Sequence, residues 1–197
     1  MITIEDIEAF QPGPSVLGIT GRAGSGKTTA ADVLVKAGWK RVKMAGPLKD
    51  MLRSIGLTDR HIEGDLKEVP CDLLCGQTPR HAMITLGTEW GRDIIGGNLW
   101  VGLARQRIMQ AMSEGYNVVV DDVRFNNEAD IIRDLGGTVL EIRRDGAIKI
   151  DHKSEGGVRA DMFFDNNKGA ADLERYMTYV FAMSGQQGWD DPSLPLG

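Results

Sequence analysis

The sequence predicts an α/β fold in which a parallel sheet of five strands is covered by helices. Three observations carry that prediction. Residues 117–121 (NVVVD) form a continuous apolar run, as strands buried on both faces of a parallel sheet do, and residues 15–20 (SVLGIT) form another. Segments with apolar residues at helical spacing, among them 27–37, 100–112 and 173–181, alternate with such runs. Between the first strand and the first helix stands Gly21-Arg22-Ala23-Gly24-Ser25-Gly26-Lys27-Thr28, which fits G-x-x-x-x-G-K-[ST] in the required order of strand, loop and helix. Ligands of such sheets bind at the carboxyl ends of the strands.

Length and composition bound the rest. The 197 residues, 42% hydrophobic and 26% charged, suffice for one domain with a full core, and neither an internal repeat nor a linker divides them. A formal net charge of -5 with no basic tract argues against a nucleic-acid binder. Cys71 and Cys75 are too few and too isolated for a zinc or redox motif, and are expected as reduced, half-buried thiols. Glu5, Asp6 and Glu8 stand where a secretory signal needs basic and then apolar residues, and no stretch approaches a membrane span. The expected location is cytoplasmic, with no membrane partner.

Residues 1–14 end in Gln11-Pro12-Gly13-Pro14, a turn-forming lead-in to the first strand. In the loop that follows, glycines let backbone N–H groups converge on phosphate oxygens, and the helix N-terminus adds the positive end of its dipole. Lys27 is expected to reach the β- and γ-phosphates and the Thr28 hydroxyl to take Mg²⁺. The helix at 27–37 turns Ala30, Ala31, Val33, Leu34 and Ala37 inward and ends at Gly38. A second strand is expected at 39–44, then a helix opened by Pro47 and running to Ile55, with Leu48, Met51, Leu52 and Ile55 on one face. Lys49 lies on its other side, just past a strand end, where a solvated charge and a phosphate contact are both open.

Residues 56–82, broken by Gly56, Gly64, Pro70, Gly76 and Pro79, read as loops with one or two short helices; His61 and His81 read as solvated. A helix follows, broken near Gly87, and then an amphipathic helix marked by Trp100, Val101, Ala104, Ile108, Ala111 and Met112 and closed by Gly115. The strand at 117–121 ends in Asp121-Asp122-Val123-Arg124-Phe125, a carboxylate at the place where a phosphate-loop protein holds the Mg²⁺ shell. Next come a helix at 127–135, capped by Asn126 or Asn127 and stopped by Gly136-Gly137, and a strand at 138–142 from which Arg143 and Arg144 emerge. Residues 145–160 hold Gly146, Gly156 and Gly157 around Lys149, His152, Lys153 and Arg159, and read as a cationic lid. A last strand at 161–164 precedes a helix with Leu173, Tyr176, Met177, Val180 and Phe181 inward; the tail after Ser184 has too little apolar content to pack.

These blocks together resemble the bacteriophage deoxynucleoside monophosphate kinases, a branch of the P-loop nucleotide kinases. The resemblance runs through Gly18-Ile19-Thr20-Gly21 to Thr28, Ala45-Gly46-Pro47-Leu48-Lys49, Gly76-Gln77-Thr78-Pro79-Arg80, Leu86-Gly87-Thr88-Glu89-Trp90-Gly91-Arg92 and Trp100, Asp122-Val123-Arg124-Phe125 with Glu128, and His152-Lys153-Ser154-Glu155. It covers residues 15–170 in the family's order, and its Leu-Gly-Thr-Glu-Trp-Gly-Arg and Asp-Val-Arg-Phe blocks are its most specific parts. It implies the three-layer P-loop NTPase fold with strand order 2-3-1-4-5. It also implies phosphoryl transfer from ATP, with Mg²⁺, to a deoxynucleoside 5′-monophosphate. The single domain 1–197 would carry an acceptor-binding insertion at about 47–100 and the lid at about 145–160.

The same resemblance distributes the residues. Gly21, Ala23, Gly24, Ser25, Gly26, Lys27, Thr28 and Thr29 hold the ATP phosphates, and Thr28 with Asp122 organises Mg²⁺. Arg124 bridges donor and acceptor phosphates, and Arg144 matches the arginine at the end of the fourth strand; Arg143 and Asp121 lie outside the motif. Lys49, Arg80, Glu89, Arg92 and Arg124 make up the acceptor side, and Asn166 matches the turn that backs the adenine of ATP. At Met44-Ala45-Gly46 the chain departs from the Phe-Ala that family members more often carry. The expected state is a monomer or homodimer, in the host cytoplasm if the chain is phage-encoded. The alternative reading is a P-loop kinase for another small phosphorylated or hydroxylated metabolite. A regulatory GTP switch is disfavoured because Asn167-Lys168-Gly169-Ala170 lacks the aspartate of the guanine motif.

Overall fold

In the computed structural model residues 15–147 and 157–183 are described. The elements run β1 (Val16–Thr20), α1 (Lys27–Lys36), β2 (Lys40–Val42), α2 (Gly46–Ser54), α3 (Asp59–Ile62), a 3₁₀ turn (Asp72–Leu74) and α4 (Pro79–Ile84). A π-helix (Thr85–Ile95), α5 (Leu99–Ser113), β3 (Val118–Val120), α6 (Asn126–Asp134), β4 (Thr138–Arg143), β5 (Met162–Asp165) and α7 (Ala170–Met183) complete them. The strands form one sheet in the order β2-β3-β1-β4-β5, the order that the resemblance implies. β1 pairs in parallel with β3, Leu17 opposite Val119, and with β4, Ile19 opposite Leu140; β4 pairs in parallel with β5. The chain divides into two compact units, Val42–Arg107 and the remainder.

In the larger unit the central strands β1 and β3 are buried along their whole length because both faces are covered. Leu17, Ile19, Val119, Leu140 and Ile142 pack with Ala30, Ala31 and Leu34 of α1 and with Leu173, Met177 and Val180 of α7. The alternate residues of β1 face the other way, as strand geometry requires. There a Cβ on Gly18 would stand 3.2 Å from Ile132 of α6, so the missing side chain lets α6 sit close on the sheet. Ala37, expected inward, is exposed, because α1 ends at Lys36 and Ala37 already belongs to the turn into Gly38 (φ +96°). The second strand spans only 40–42 rather than 39–44, since Lys43 to Gly46 turn at once into α2.

Cysteine exposure, one cap and one helix face also differ from expectation. Cys71 and Cys75 are free thiols, the first half-buried as expected, the second exposed and left-handed (φ 53°). At α6 the capping residue is Phe125, and the carboxylate of Glu128 accepts its N–H, in place of an asparagine side chain. In the smaller unit Leu48 and Leu52 of α2 join Leu57, Ile62 and Trp100 in a separate core. Met51 and Ile55, expected on the same face, are exposed.

The helix expected to break near Gly87 instead widens into 11 residues of π-helix beginning at Thr85. Trp100 explains where. Its indole N–H donates to the Gly87 carbonyl at 2.8 Å, taking an oxygen that an α-helix would give to its own ladder. The ring lies so close to Gly91 that a Cβ there would fall 2.4 Å from Nε1. Two glycines one helical turn apart thus make the bed for one tryptophan.

Candidate active site

The loop leaves the carboxyl end of β1, at the middle of the sheet. Gly21 (φ +135°), Gly24 (φ +78°) and Gly26 (φ +110°) hold conformations that side chains rarely adopt. At Gly21 a Cβ would meet the Ile142 carbonyl oxygen at 2.3 Å, and at Gly26 the Asn166 amide at 2.5 Å, so neither position tolerates one. Ser25, fully buried, donates its N–H to the Arg22 carbonyl at 3.2 Å and closes the loop. Helix α1 begins at Lys27 with no side-chain cap and no acidic residue in its first turn. Its dipole end is therefore not neutralised by the chain itself. The Lys27 ammonium donates to the carbonyls of Gly21 at 2.6 Å and Arg22 at 2.8 Å, folded back over the loop. Ala23 and Thr29 are half-buried within this cradle and the Thr28 side chain is exposed.

One strand away, β3 delivers Asp121 and Asp122. Asp121 is buried beside Arg41, whose Nε stands 3.6 Å from it and whose other nitrogen donates to Asp32 at 2.6 Å. That carboxylate is engaged in the core; Asp122 beside it is half-buried. The next turn is held by Glu128, which accepts the backbone N–H of Arg124 at 2.7 Å and of Phe125 at 3.2 Å. Arg124 is exposed, and its guanidinium makes no ion pair among the described residues. At the end of β4 the two arginines divide. Arg143 pairs with Glu141 at 2.8 Å and lies 4.0 Å over the Phe163 ring, whereas Arg144 is exposed.

Oxygen donors of this kind suit Mg²⁺, which takes few protein ligands and completes its shell with phosphate oxygens and water. Thr28 and Asp122 supply such oxygens, and among the described residues no group of three or more His, Cys, Asp and Glu forms a protein cage. Asn166, expected behind the adenine, is 5% exposed and donates its amide N–H to the Ser25 carbonyl at 2.8 Å. Most of the expected lid, residues 148–156, lies outside the described residues, as do the lead-in 1–14 and the tail after 183.

The acceptor candidates other than Arg124 belong to the smaller unit. Lys49 donates to Glu63 at 2.5 Å, and Arg80 is paired with Glu68. Glu89 and Arg92 lie on the π-helix, Glu89 exposed and Arg92 half-buried with a 3.5 Å contact to the Gly97 carbonyl. The structure adds Lys67, which the sequence did not single out from its charged surroundings. Its pKa is lowered, first by burial and then by the positive charges of Arg80 and Lys49. Burial pushes the Glu63 carboxyl up, yet the Lys49 hydrogen bond and the charges of Lys49, Lys43 and Lys67 together hold it below the ordinary value. His61 is structural: its Nδ1 stands 2.8 Å from Thr58 Oγ1 at the start of α3.

Comparison with known proteins bears on the whole. The family described as deoxynucleotide monophosphate kinase matches residues 76–176. A protein of Acanthamoeba polyphaga mimivirus named "Putative deoxynucleotide monophosphate kinase" is 36% identical over 172 residues, covering 78% of this chain and 89% of that one. The deoxynucleoside-5′-monophosphate kinase of Escherichia phage T5 is 31% identical over 91 residues, 42% of this chain and 36% of that one. Among solved structures, the dephospho-CoA kinase from Campylobacter jejuni aligns over 86% of this chain and 96% of its own at 14% identity, with a TM-score of 0.47. No helix among the described residues is long and apolar enough to cross a membrane. The family match spans just over half of the chain and the mimivirus relative nearly all of its own length, so this chain belongs to the deoxynucleotide monophosphate kinase family.

Proposed function

We infer that the protein transfers the γ-phosphoryl group of ATP to a deoxynucleoside 5′-monophosphate, giving the diphosphate and ADP. The observation that carries this reading is the glycine loop at the uncapped start of α1, folded under Lys27, in a chain of this family.

Each residue has a part that its position supports. The loop N–H groups from Gly24 to Thr28 and the start of α1 hold the triphosphate, and Lys27 exchanges its two loop carbonyls for phosphate oxygens. Thr28 and Asp122 would hold Mg²⁺, which when bound neutralises charge on the β- and γ-phosphates. Arg124, exposed in the turn between β3 and α6, and Arg144, exposed just past β4, supply cations toward the transferring group. On the acceptor side Lys49, Arg80, Glu89 and Arg92 bind and orient the monophosphate. Lys49 and Arg80 reach it only by leaving Glu63 and Glu68, so the acidic partners hold these cations ready until an anion replaces them. The second ionisation of a phosphate monoester lies near pH 6, so the attacking oxygen is already an anion at neutral pH. No strong general base is required; positioning and charge neutralisation lower the barrier.

The test is ADP formation from ATP and Mg²⁺ with a panel of deoxy- and ribonucleoside monophosphates. Turnover with at least one deoxynucleotide is expected. If none supports turnover while a different phosphorylated or hydroxylated metabolite does, the assigned acceptor is wrong.

A further inference from the structure

Asn166 sits where β5 ends, its N–H given to the Arg143 carbonyl at 2.8 Å and its side chain 141 residues away in sequence from the carbonyl it holds. The residue is 5% exposed, and its Oδ1 is buried without a hydrogen-bond partner among the described residues. An adenine ring laid against this turn would therefore meet little of the amide. What the amide does touch is the phosphate loop. Its Nδ2 donates to the Ser25 carbonyl at 2.8 Å, and it fills the space that a Cβ on Gly26 would need, 2.5 Å away. The nitrogen must be the atom on that side, since an amide oxygen facing a carbonyl oxygen would repel it.

The consequence follows from peptide geometry. A trans peptide is planar, with its C=O and N–H pointing in opposite directions. Turning the Ser25 carbonyl toward Asn166 turns the Gly26 N–H away from Asn166. The Gly26 φ of +110° keeps that peptide in place, and no other residue type would adopt it without strain. One buried hydrogen bond thus fixes the direction of a donor at the centre of the loop.

We propose that Asn166 is a positioning residue that orients the phosphate loop through the Ser25 carbonyl, so that β5 and the loop form one triphosphate-binding device, with no contact between Asn166 and the adenine. This rests on the reading that Gly21 to Thr28 bind the triphosphate. Calorimetry on the full chain tests it with two probes, ATP and inorganic tripolyphosphate, against Asn166→Ala and the isosteric Asn166→Asp. The aspartate keeps the volume and presents oxygen to the Ser25 carbonyl, and it serves where the alanine variant fails to fold by circular dichroism. Loss of one buried hydrogen bond predicts about tenfold weaker binding of both probes, by the same factor. Weakening of ATP alone would place the contact at the adenine, and unchanged affinity for both would make Asn166 a spectator; either result overturns the proposal. If the unaltered protein binds neither probe, the triphosphate reading itself fails, an outcome distinct from these two.

Discussion

The carboxylate of Glu128 stands 2.7 Å from the backbone N–H of Arg124, and the same oxygen takes the N–H of Phe125. Glu128 lies in the first turn of α6, where a negative charge also meets the positive end of the helix dipole. The turn from Asp122 to Arg124 is therefore shaped by a buried carboxylate that follows it. Glu128→Ala should leave two N–H groups without this acceptor, costing roughly 1–3 kcal/mol of stability. It should also lower kcat more than it raises the KM for ATP, because the phosphate loop is untouched. Glu128→Gln keeps a carbonyl acceptor, though a neutral one, and should recover part of both losses. Unchanged kcat in the alanine variant would show that Arg124 does not depend on this turn.

Lys27 spans two loop carbonyls, and its replacement removes the cation that the proposed function turns onto the transferring phosphates. Lys27→Ala should reduce turnover by about 10²–10³ or more, the scale of a lost electrostatic contact in the transition state, while circular dichroism stays the same. Near-normal kcat would remove Lys27 from the chemistry.

Glu63 carries a prediction in pH. Burial works against its charge, but Lys49 and the neighbouring lysines hold its pKa below the ordinary glutamate value of 4.5. A carboxyl depressed in the folded state contributes stability above its unfolded pKa and loses it as pH falls through the folded one. Denaturant unfolding should show Glu63→Gln less stable than the unaltered protein at pH 8, with the difference shrinking as pH falls below about 4.5, the ordinary value just given, so that the acid limb of the variant is flatter. If Lys49 leaves Glu63 to grip the acceptor, the same variant should lower the KM for the monophosphate. An unchanged acid limb would mean that the pair is broken in solution.

How much of this was legible in the sequence depends on range. The loop from Gly21 to Thr28 could be read because its glycines, lysine and threonine are contiguous and each answers a local demand. Strand order is not local, and it came from the resemblance before the pairing of β1 with both β3 and β4 bore it out. The cap at α6 was misassigned to asparagine because the sequence shows a capping residue more readily than the carboxylate, three positions on, that does the holding. Asn166 could be placed near the site but not on the Ser25 carbonyl, a contact across 141 residues that no spacing announces. Lys67 was missed because its burial, not its type, sets it apart.

The π-helix shows what such long-range contact does to a helix that the sequence would break at glycine. Gly87 and Gly91 are not breaks; they are where the Trp100 indole donates and where its ring fits. Gly91→Ala must push a methyl group into a space 2.4 Å from Nε1, and Trp100 is too buried to move aside freely. Overpacking of this kind costs about 1–3 kcal/mol, or roughly 2–4 °C of Tm per kcal/mol in a chain of this size. Since Arg92 follows Gly91 directly and Glu89 lies two residues before it, the same shift should raise the KM for the monophosphate and leave that for ATP unchanged. Arg92→Ala should raise the same KM without the loss in Tm, because the half-buried arginine leaves no clash behind. If Gly91→Ala lowers Tm but moves neither KM, the π-helix serves the small core alone and Arg92 binds nothing that reacts.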